Sequence, residues 1–147
     1  MRYFDTSALV KQYFLKEPGS KTVRELLKSG EKVFTAVLSY TETHAAFARR
    51  RREGLLSAQV TRRLALRFDR DWESYEILLL SGDALALARE LIYRHPLRSA
   101  DSIHLASALL LARKTPASEW EFVCADHRLR GAAASEGLKP IDVSSAD

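Results

Sequence analysis

MRYFDTSALVKQY, residues 1–13, places the apolar pair Tyr3 and Phe4 directly before an acid, Asp5. Thr6, Ser7 and an apolar helical pattern follow at once. A short buried strand, a turn and a helix is the unit from which parallel sheets are built. The rest of the chain repeats the alternation. Strand-like runs are expected at 3–4, 32–37, 77–80, 122–124 and 140–143, and helices at 7–16, 20–28, 39–53, 57–71, 83–94, 99–114 and 128–136. Ser39, Ser57, Ser81 and Ser99 stand where helix caps belong, and Pro18, Gly30, Gly54, Pro96 and Gly137 where helices stop. Short, uniformly apolar strands separated by helices predict an α/β fold, a three-layer α/β/α sandwich around a central parallel five-stranded sheet.

Length and composition set the outer bounds. A chain of 147 residues fits a single domain, 1–147. At that size roughly two thirds of the unfolded surface can be buried. Cys124 is the only cysteine, so an internal disulfide and a cysteine zinc cluster are excluded and a reducing cytoplasm is the expected setting. No signal-peptide pattern opens the chain, and no apolar run approaches the roughly 18 residues that span a membrane. A soluble cytoplasmic protein without a membrane partner is expected. The net charge of +4 favours nucleic acid only mildly, but Arg49, Arg50, Arg51 and Arg52 are consecutive, which concentrates it.

In open parallel sheets, ligands bind outside the carboxyl ends of the strands. Asp5 follows the first strand there and Asp126 the fourth, in FVCAD. Glu42 and Asp101 lie near the starts of helices that begin at the same edge. Each has a structural reading: Asp5 and Asp126 as helix caps, Glu42 in a capping box with Ser39, Asp101 at the positive end of its helix. Yet Asp101 shares a face with Leu105, Ala108, Leu109 and Ala112, and Glu42 with Ala45 and Ala46. Carboxylates turned toward a core need a compensating partner. A divalent cation would supply one, and an all-oxygen ligand set suits Mg²⁺ or Mn²⁺ better than zinc. Such an ion acidifies bound water and stabilises charge on a phosphate, which serves phosphodiester hydrolysis.

Four stretches carry a family resemblance: YFDTSALVKQY, SYTETHAAFARR, LRSADSIHLASAL and FVCADHRLRGAAASEGLKPIDV. In that order they resemble the PIN-domain nucleases, and most closely the VapC-type toxin ribonucleases of type II toxin-antitoxin systems. The resemblance implies a metal-dependent endoribonuclease that uses Mg²⁺ or Mn²⁺, forms homodimers and is held in check by a VapB-type antitoxin. It also implies that Asp5, Glu42, Asp101 and Asp126 form the catalytic, metal-binding set, with Thr6 supporting Asp5. Asp126 in such sites often acts through water. Where family members often carry Thr or Ser two residues before the last acid, this chain has Cys124, a poorer hydrogen-bonding group. A projecting helical pair at about 39–73 is implied as well.

Several residues keep two readings. His104, one turn after Asp101, either orients a phosphate or supports the acids from behind. Arg49 falls on the Glu42 face, and the run to Arg52 suits RNA phosphates, an acidic antitoxin segment or plain solvation. Phe47, Leu55, Leu56, Val60 and Leu64 suit internal packing or a partner surface. Three rival functions also stand. A free-standing RNA-processing nuclease and a catalytically weak binding module share the fold. A phosphatase with an Asp nucleophile would want a second acid two residues on, where this chain has Ser7.

Overall fold

The computed structural model describes residues 1–115 and 120–145. Five strands, β1 (Arg2–Phe4), β2 (Val33–Ala36), β3 (Glu76–Leu78), β4 (Glu121–Cys124) and β5 (Lys139–Asp142), form one sheet in the order β3-β2-β1-β4-β5. Every neighbouring pair is parallel. The chain lays down β1, β2 and β3 toward one edge, then returns with β4 on the other side of β1. The order of strands therefore reverses between β1 and β4, and a crevice opens at their carboxyl ends.

Helices α1 (Thr6–Leu9), α2 (Ser20–Lys28), α3 (Leu38–Arg52), α4 (Ala58–Trp72), α5 (Gly82–Arg94), α6 (Ser99–Lys114) and α7 (His127–Ser135) complete the expected α/β/α sandwich. Successive strand side chains point to opposite faces, so Tyr3 and Phe122 join Leu87, Leu91, Leu105, Leu109 and Leu129 beneath α5, α6 and α7. Phe4 and Val123 point the other way, into a core with Leu9 and Val23 of α1 and α2. Both faces of the central strands are thus dry, which is why their sequences are uniformly apolar instead of alternating.

A third cluster, Tyr13, Phe14, Phe47 and Phe68, is fully buried where α3 and α4 meet the chain leaving α1. Phe68 sits edge-on to Tyr13 at 5.9 Å and to Phe47 at 6.3 Å, a favourable arrangement for aromatic rings. Phe47, Leu56 and Leu64 belong to this packing, whereas Leu55 is 64% exposed.

Three local expectations are corrected. The helix expected over 7–16 is only one turn of α1 followed by a 3-10 turn at Val10–Tyr13. That tightening turns Tyr13 and Phe14 in among Phe47 and Phe68, so tertiary packing overrides local propensity. Ser39 is not a cap: α3 begins at Leu38, and the fully buried Ser39 hydroxyl bonds Thr35 and Thr6. Ser99 is the first residue of α6, whose cap is Arg98. Ser57 and Ser81 do cap, accepting from the Val60 and Ala84 N–H groups.

Candidate active site

Asp5 leaves β1 at the crevice, and its own N–H extends the ladder to the Val123 carbonyl at 3.0 Å. Its Oδ2 accepts from the Ser7 N–H at 2.9 Å and the Ser7 hydroxyl at 2.5 Å, capping α1. Asp126, two residues beyond β4, caps α7 by accepting from the Leu129 N–H at 2.9 Å. Both are therefore the N-caps that their positions suggested. Capping uses one oxygen of each, however, and fixes the direction of the other.

The remaining acids arrive on helices. Glu42 comes from the second turn of α3 and Asp101 from the first turn of α6, and with Asp5, Asp126, Thr6, Ser7, Ala45, Ala46 and Arg49 they line one cleft of about 340 Å³. All four carboxylates that the sequence singled out meet there. A larger cavity of about 600 Å³, beside the start of β2, is lined by Arg24, Lys28, Lys32 and Arg67 and brings no comparable set of acids together.

Behind the cleft lies a buried polar network. His104, 1% exposed, donates through Nε2 to Glu42 Oε1 at 2.7 Å, and its Nδ1 lies 2.9 Å from the Tyr3 hydroxyl. Its Nε2 also stands 3.7 Å from Asp5 Oδ1. The Thr6 hydroxyl donates to the same Glu42 oxygen at 2.9 Å and contacts Ser39 Oγ at 2.9 Å. From Ser39 the run of hydroxyls passes to Thr35 at 2.7 Å and ends on the Phe4 carbonyl at 2.8 Å. Glu42 is thereby tied back to β1 and β2. Of the two readings of His104, its placement is the one behind the acids, out of reach of a substrate in the cleft.

Opposing effects act on the charges. Burial penalises the imidazolium of His104, but Asp5, the Glu42 hydrogen bond and Asp101 outweigh it and raise its pKa. Burial likewise disfavours the Glu42 carboxylate, yet His104, Thr6 and Arg98 together lower its pKa. Burial, followed by the nearby Asp5 charge, pushes the Cys124 thiol up, so it stays protonated at neutral pH. Cys124 Sγ accepts from the Asp126 N–H at 3.2 Å and stands 3.8 Å from Asp5 Oδ2. The weak sulfur acceptor thus meets the backbone of Asp126, while the Leu129 N–H holds its carboxylate.

The arginine run splits. Arg49 lines the cleft, whereas Arg50 turns away into an ion pair with Glu17 and lies over the Phe14 ring at 3.8 Å. Arg51 and Arg52 are exposed at the end of α3. His127 is also exposed, and His44 is engaged with Asp69 at 3.1 Å.

Sequence reasoning missed two residues. Ser7 does more than turn the chain: its hydroxyl donates to Asp5 and accepts from the Ala125 N–H at 3.0 Å, bracing β1 against the end of β4. Arg98 donates from its backbone N–H to Asp101 Oδ2 at 3.2 Å and from Nε to the same oxygen at 3.0 Å. A cap residue three before an acid was the available signal for Arg98.

The donors facing the cleft are carboxylate oxygens, with His104 turned inward, and such a set fits a hard divalent cation of the Mg²⁺ or Mn²⁺ type. Among the described residues, no group of three or more His, Cys, Asp or Glu side chains converges closely enough to hold an ion as the side chains stand. The hydrogen bonds above account for this, since the acids are directed by Ser7, Leu129, His104 and Arg98.

A parallel α/β/α sandwich with an acidic cleft at its strand-order reversal defines a class of α/β folds that bind ligands at the carboxyl ends of their strands. The chain belongs to the PIN domain family, whose model matches residues 2–134. More particularly, it is 33% identical over 111 residues to Ribonuclease VapC45 of Mycobacterium tuberculosis, covering 73% of this chain and 74% of that one. In three dimensions it is similar to FitAcB from Neisseria gonorrhoeae, with a TM-score of 0.71, 15% identity and coverage of 98% and 99% of the two chains. It is also similar to Mycobacterium tuberculosis VapC20, described as a sarcin-ricin loop cleaving toxin, with a TM-score of 0.67, 18% identity and coverage of 94% and 96%.

Proposed function

We propose that this chain is the ribonuclease toxin of a toxin-antitoxin pair and hydrolyses RNA phosphodiester bonds with a divalent cation, Mg²⁺ or Mn²⁺, held by Asp5, Glu42, Asp101 and Asp126. One observation carries the reading: four carboxylates from four different elements line a single cleft at the carboxyl edge of β1 and β4. The relative named a VapC ribonuclease supports the substrate class. A divalent cation in the cleft would supply charge stabilisation at the phosphate and acidify water.

The chain's own residues do the rest. Thr6 and His104 hold Glu42 by the same oxygen, leaving Oε2 to the cleft. Ser7 holds Asp5 and the Leu129 N–H holds Asp126, so each acid enters the site with its orientation already set. Arg49, on the cleft wall, is placed to take a phosphate of the RNA backbone. Arg51 and Arg52 extend that positive surface toward RNA or an acidic antitoxin segment.

A VapB-type antitoxin and a second copy of this chain are the proposed protein partners. Among the similar solved structures are a toxin-antitoxin complex from Klebsiella pneumoniae and VapBC2 from Rickettsia felis bound to promoter DNA, which supports the pairing. No helix of the described residues is long and apolar enough to cross a membrane. A cytoplasmic single-domain protein, with α3 and α4 as its partner-facing arm, completes the proposal.

The test uses protein purified free of antitoxin. It should cut RNA with Mg²⁺ or Mn²⁺, lose activity in EDTA and, as Asp5→Asn with an unchanged melting temperature, lose at least about a hundredfold in rate. Cleavage that persists in EDTA, or that Asp5→Asn leaves intact, would sink the reading.

A further inference from the structure

Asp101 differs from the other acids of the cleft. In Asp5, Glu42 and Asp126 the hydrogen bonds from Ser7, from Thr6 and His104, and from Leu129 each fall on a single carboxylate oxygen. Asp101 instead meets Arg98 at both: Oδ2 accepts from Nε at 3.0 Å and Oδ1 lies 3.5 Å from the second guanidinium nitrogen. That same nitrogen reaches to 3.9 Å from Asp126 Oδ2. The Arg98 side chain is 78% exposed, so no packing pins it in place. It also lines both the acidic cleft and a neighbouring cavity of about 300 Å³ that Asp101 and Asp126 share with Pro96, His127 and Arg128.

A carboxylate lone pair aimed at a guanidinium cannot at the same moment be aimed at a metal ion. Nor would a guanidinium held against both Asp101 and Asp126 leave them free to hold a cation. The two occupants exclude each other by geometry and by charge. We propose that Arg98 is a resident counter-cation that holds Asp101 and Asp126 in the metal-free protein, competes with the divalent ion for them, and so sets the ion concentration at which the site loads. The inference rests on the metal-dependent reading above. Being exposed and long, Arg98 can swing out into solvent at small cost, which keeps the competition reversible. The neighbouring backbone bond from the Arg98 N–H to Asp101 does not depend on the side chain, so the cap of α6 survives substitution.

The direction of the expected effect is diagnostic. Removing a contact that merely props up Asp101 would weaken metal binding or leave it unchanged, whereas removing a competitor strengthens it. Mn²⁺ binding to the full chain, without RNA, is measured by calorimetry and by the loss of free-ion paramagnetic signal for wild type, Arg98→Gln, Arg98→Lys and Arg49→Gln. An exposed ion pair of ordinary strength, lost at Arg98→Gln, corresponds to binding about 1.4- to fivefold tighter. Arg98→Lys keeps the charge without the two-point contact and should fall between that variant and wild type. Arg49 lines the same cleft, and among the described residues no ion pair joins it to Asp101 or Asp126, so Arg49→Gln reports the effect of charge alone. Equal or weaker binding by Arg98→Gln, with circular dichroism unchanged, overturns the proposal, and so does an equal gain at Arg49→Gln. If no variant binds Mn²⁺ at all, the metal-dependent reading falls and takes this inference with it. If wild type binds and cuts RNA but Arg98→Gln is no tighter, only the inference fails.

Discussion

Thr6→Val removes a single hydroxyl at nearly constant volume, from the point where three elements meet. Thr6 Oγ1 donates to Glu42 Oε1 at 2.9 Å and contacts Ser39 and His104 at 2.9 and 3.2 Å. A hydrogen bond to an ionised group contributes about 1.5–3 kcal/mol net. That range must be reduced here, because the Glu42 side chain is 35% exposed and water can replace part of the loss. The same oxygen also keeps His104 at 2.7 Å, and Ser39 keeps Thr35 at 2.7 Å. A cost of about 1–2 kcal/mol follows, or roughly 2–8 °C in melting temperature for a chain of this size. Urea unfolding in EDTA at neutral pH reads the stability, and carbon NMR of the Glu42 carboxyl reads its titration. Glu42 should titrate higher in Thr6→Val, since one of the bonds that lower its pKa is gone. Thr6→Ser should restore both. RNA cleavage should fall in parallel, because Glu42 loses its tie to β1. A Thr6→Val protein with the wild-type midpoint and an unmoved Glu42 titration would refute the account of this network.

Other outcomes follow from the same structure. Phe68→Ala empties the centre of the aromatic cluster and should cost about 3–5 kcal/mol, read as a fall of at least about 6 °C in the melting temperature. The His104–Glu42 pair predicts opposite limits in pH for the metal-free protein. The raised His104 pKa contributes stability in full below its ordinary 6.5, lost as pH rises through the folded value. The lowered Glu42 pKa contributes above its ordinary 4.5, lost as pH falls through its folded value. Stability from the pair should therefore peak between those values, and the gap in urea midpoint between wild type and His104→Gln should narrow as pH rises above 6.5. Cys124→Ser places a shorter, better acceptor before the Asp126 N–H and should raise the Mg²⁺-dependent cleavage rate by at least about twofold, measured at saturating ion.

The parts legible in the sequence are those that a local pattern fixes. Asp5 and Asp126 could be placed because each follows a short apolar run, and in a parallel sheet the end of such a run is a known edge. Glu42 and Asp101 could be placed because helical spacing tells which neighbours share their face. What eluded reading is the partnership of residues far apart in the chain. Thr6 with His104, and Ser7 with Ala125, meet only because β1 and β4 are adjacent, and no window of sequence contains both members. Ser39 and Ser99 looked like caps because serine prefers that position, but Val37 caps α3 and Arg98 caps α6, for different reasons. Ser39 was drawn into the hydroxyl run toward Thr6, and at α6 the Asp101 carboxylate reaches back to accept from the Arg98 N–H. The short α1 shows the same limit: a helical pattern continued on paper, but burying Tyr13 and Phe14 required a tighter turn.

The reversal of strand order between β1 and β4 has a consequence for how the protein is made. Asp5 leaves the ribosome well before Asp126, and the pairing of β1 with β4 that brings them together joins segments far apart in the chain. Contacts so distant in sequence form late and slowly. A nascent chain that has completed β1, β2 and β3 has a strand edge where β4 will later sit, and a cleft with one wall missing. For an enzyme aimed at the RNA of its own cell, this topology postpones competence until β4 has been made. Interrupted translation products ending before β4 should accordingly be inert, whatever acids they carry.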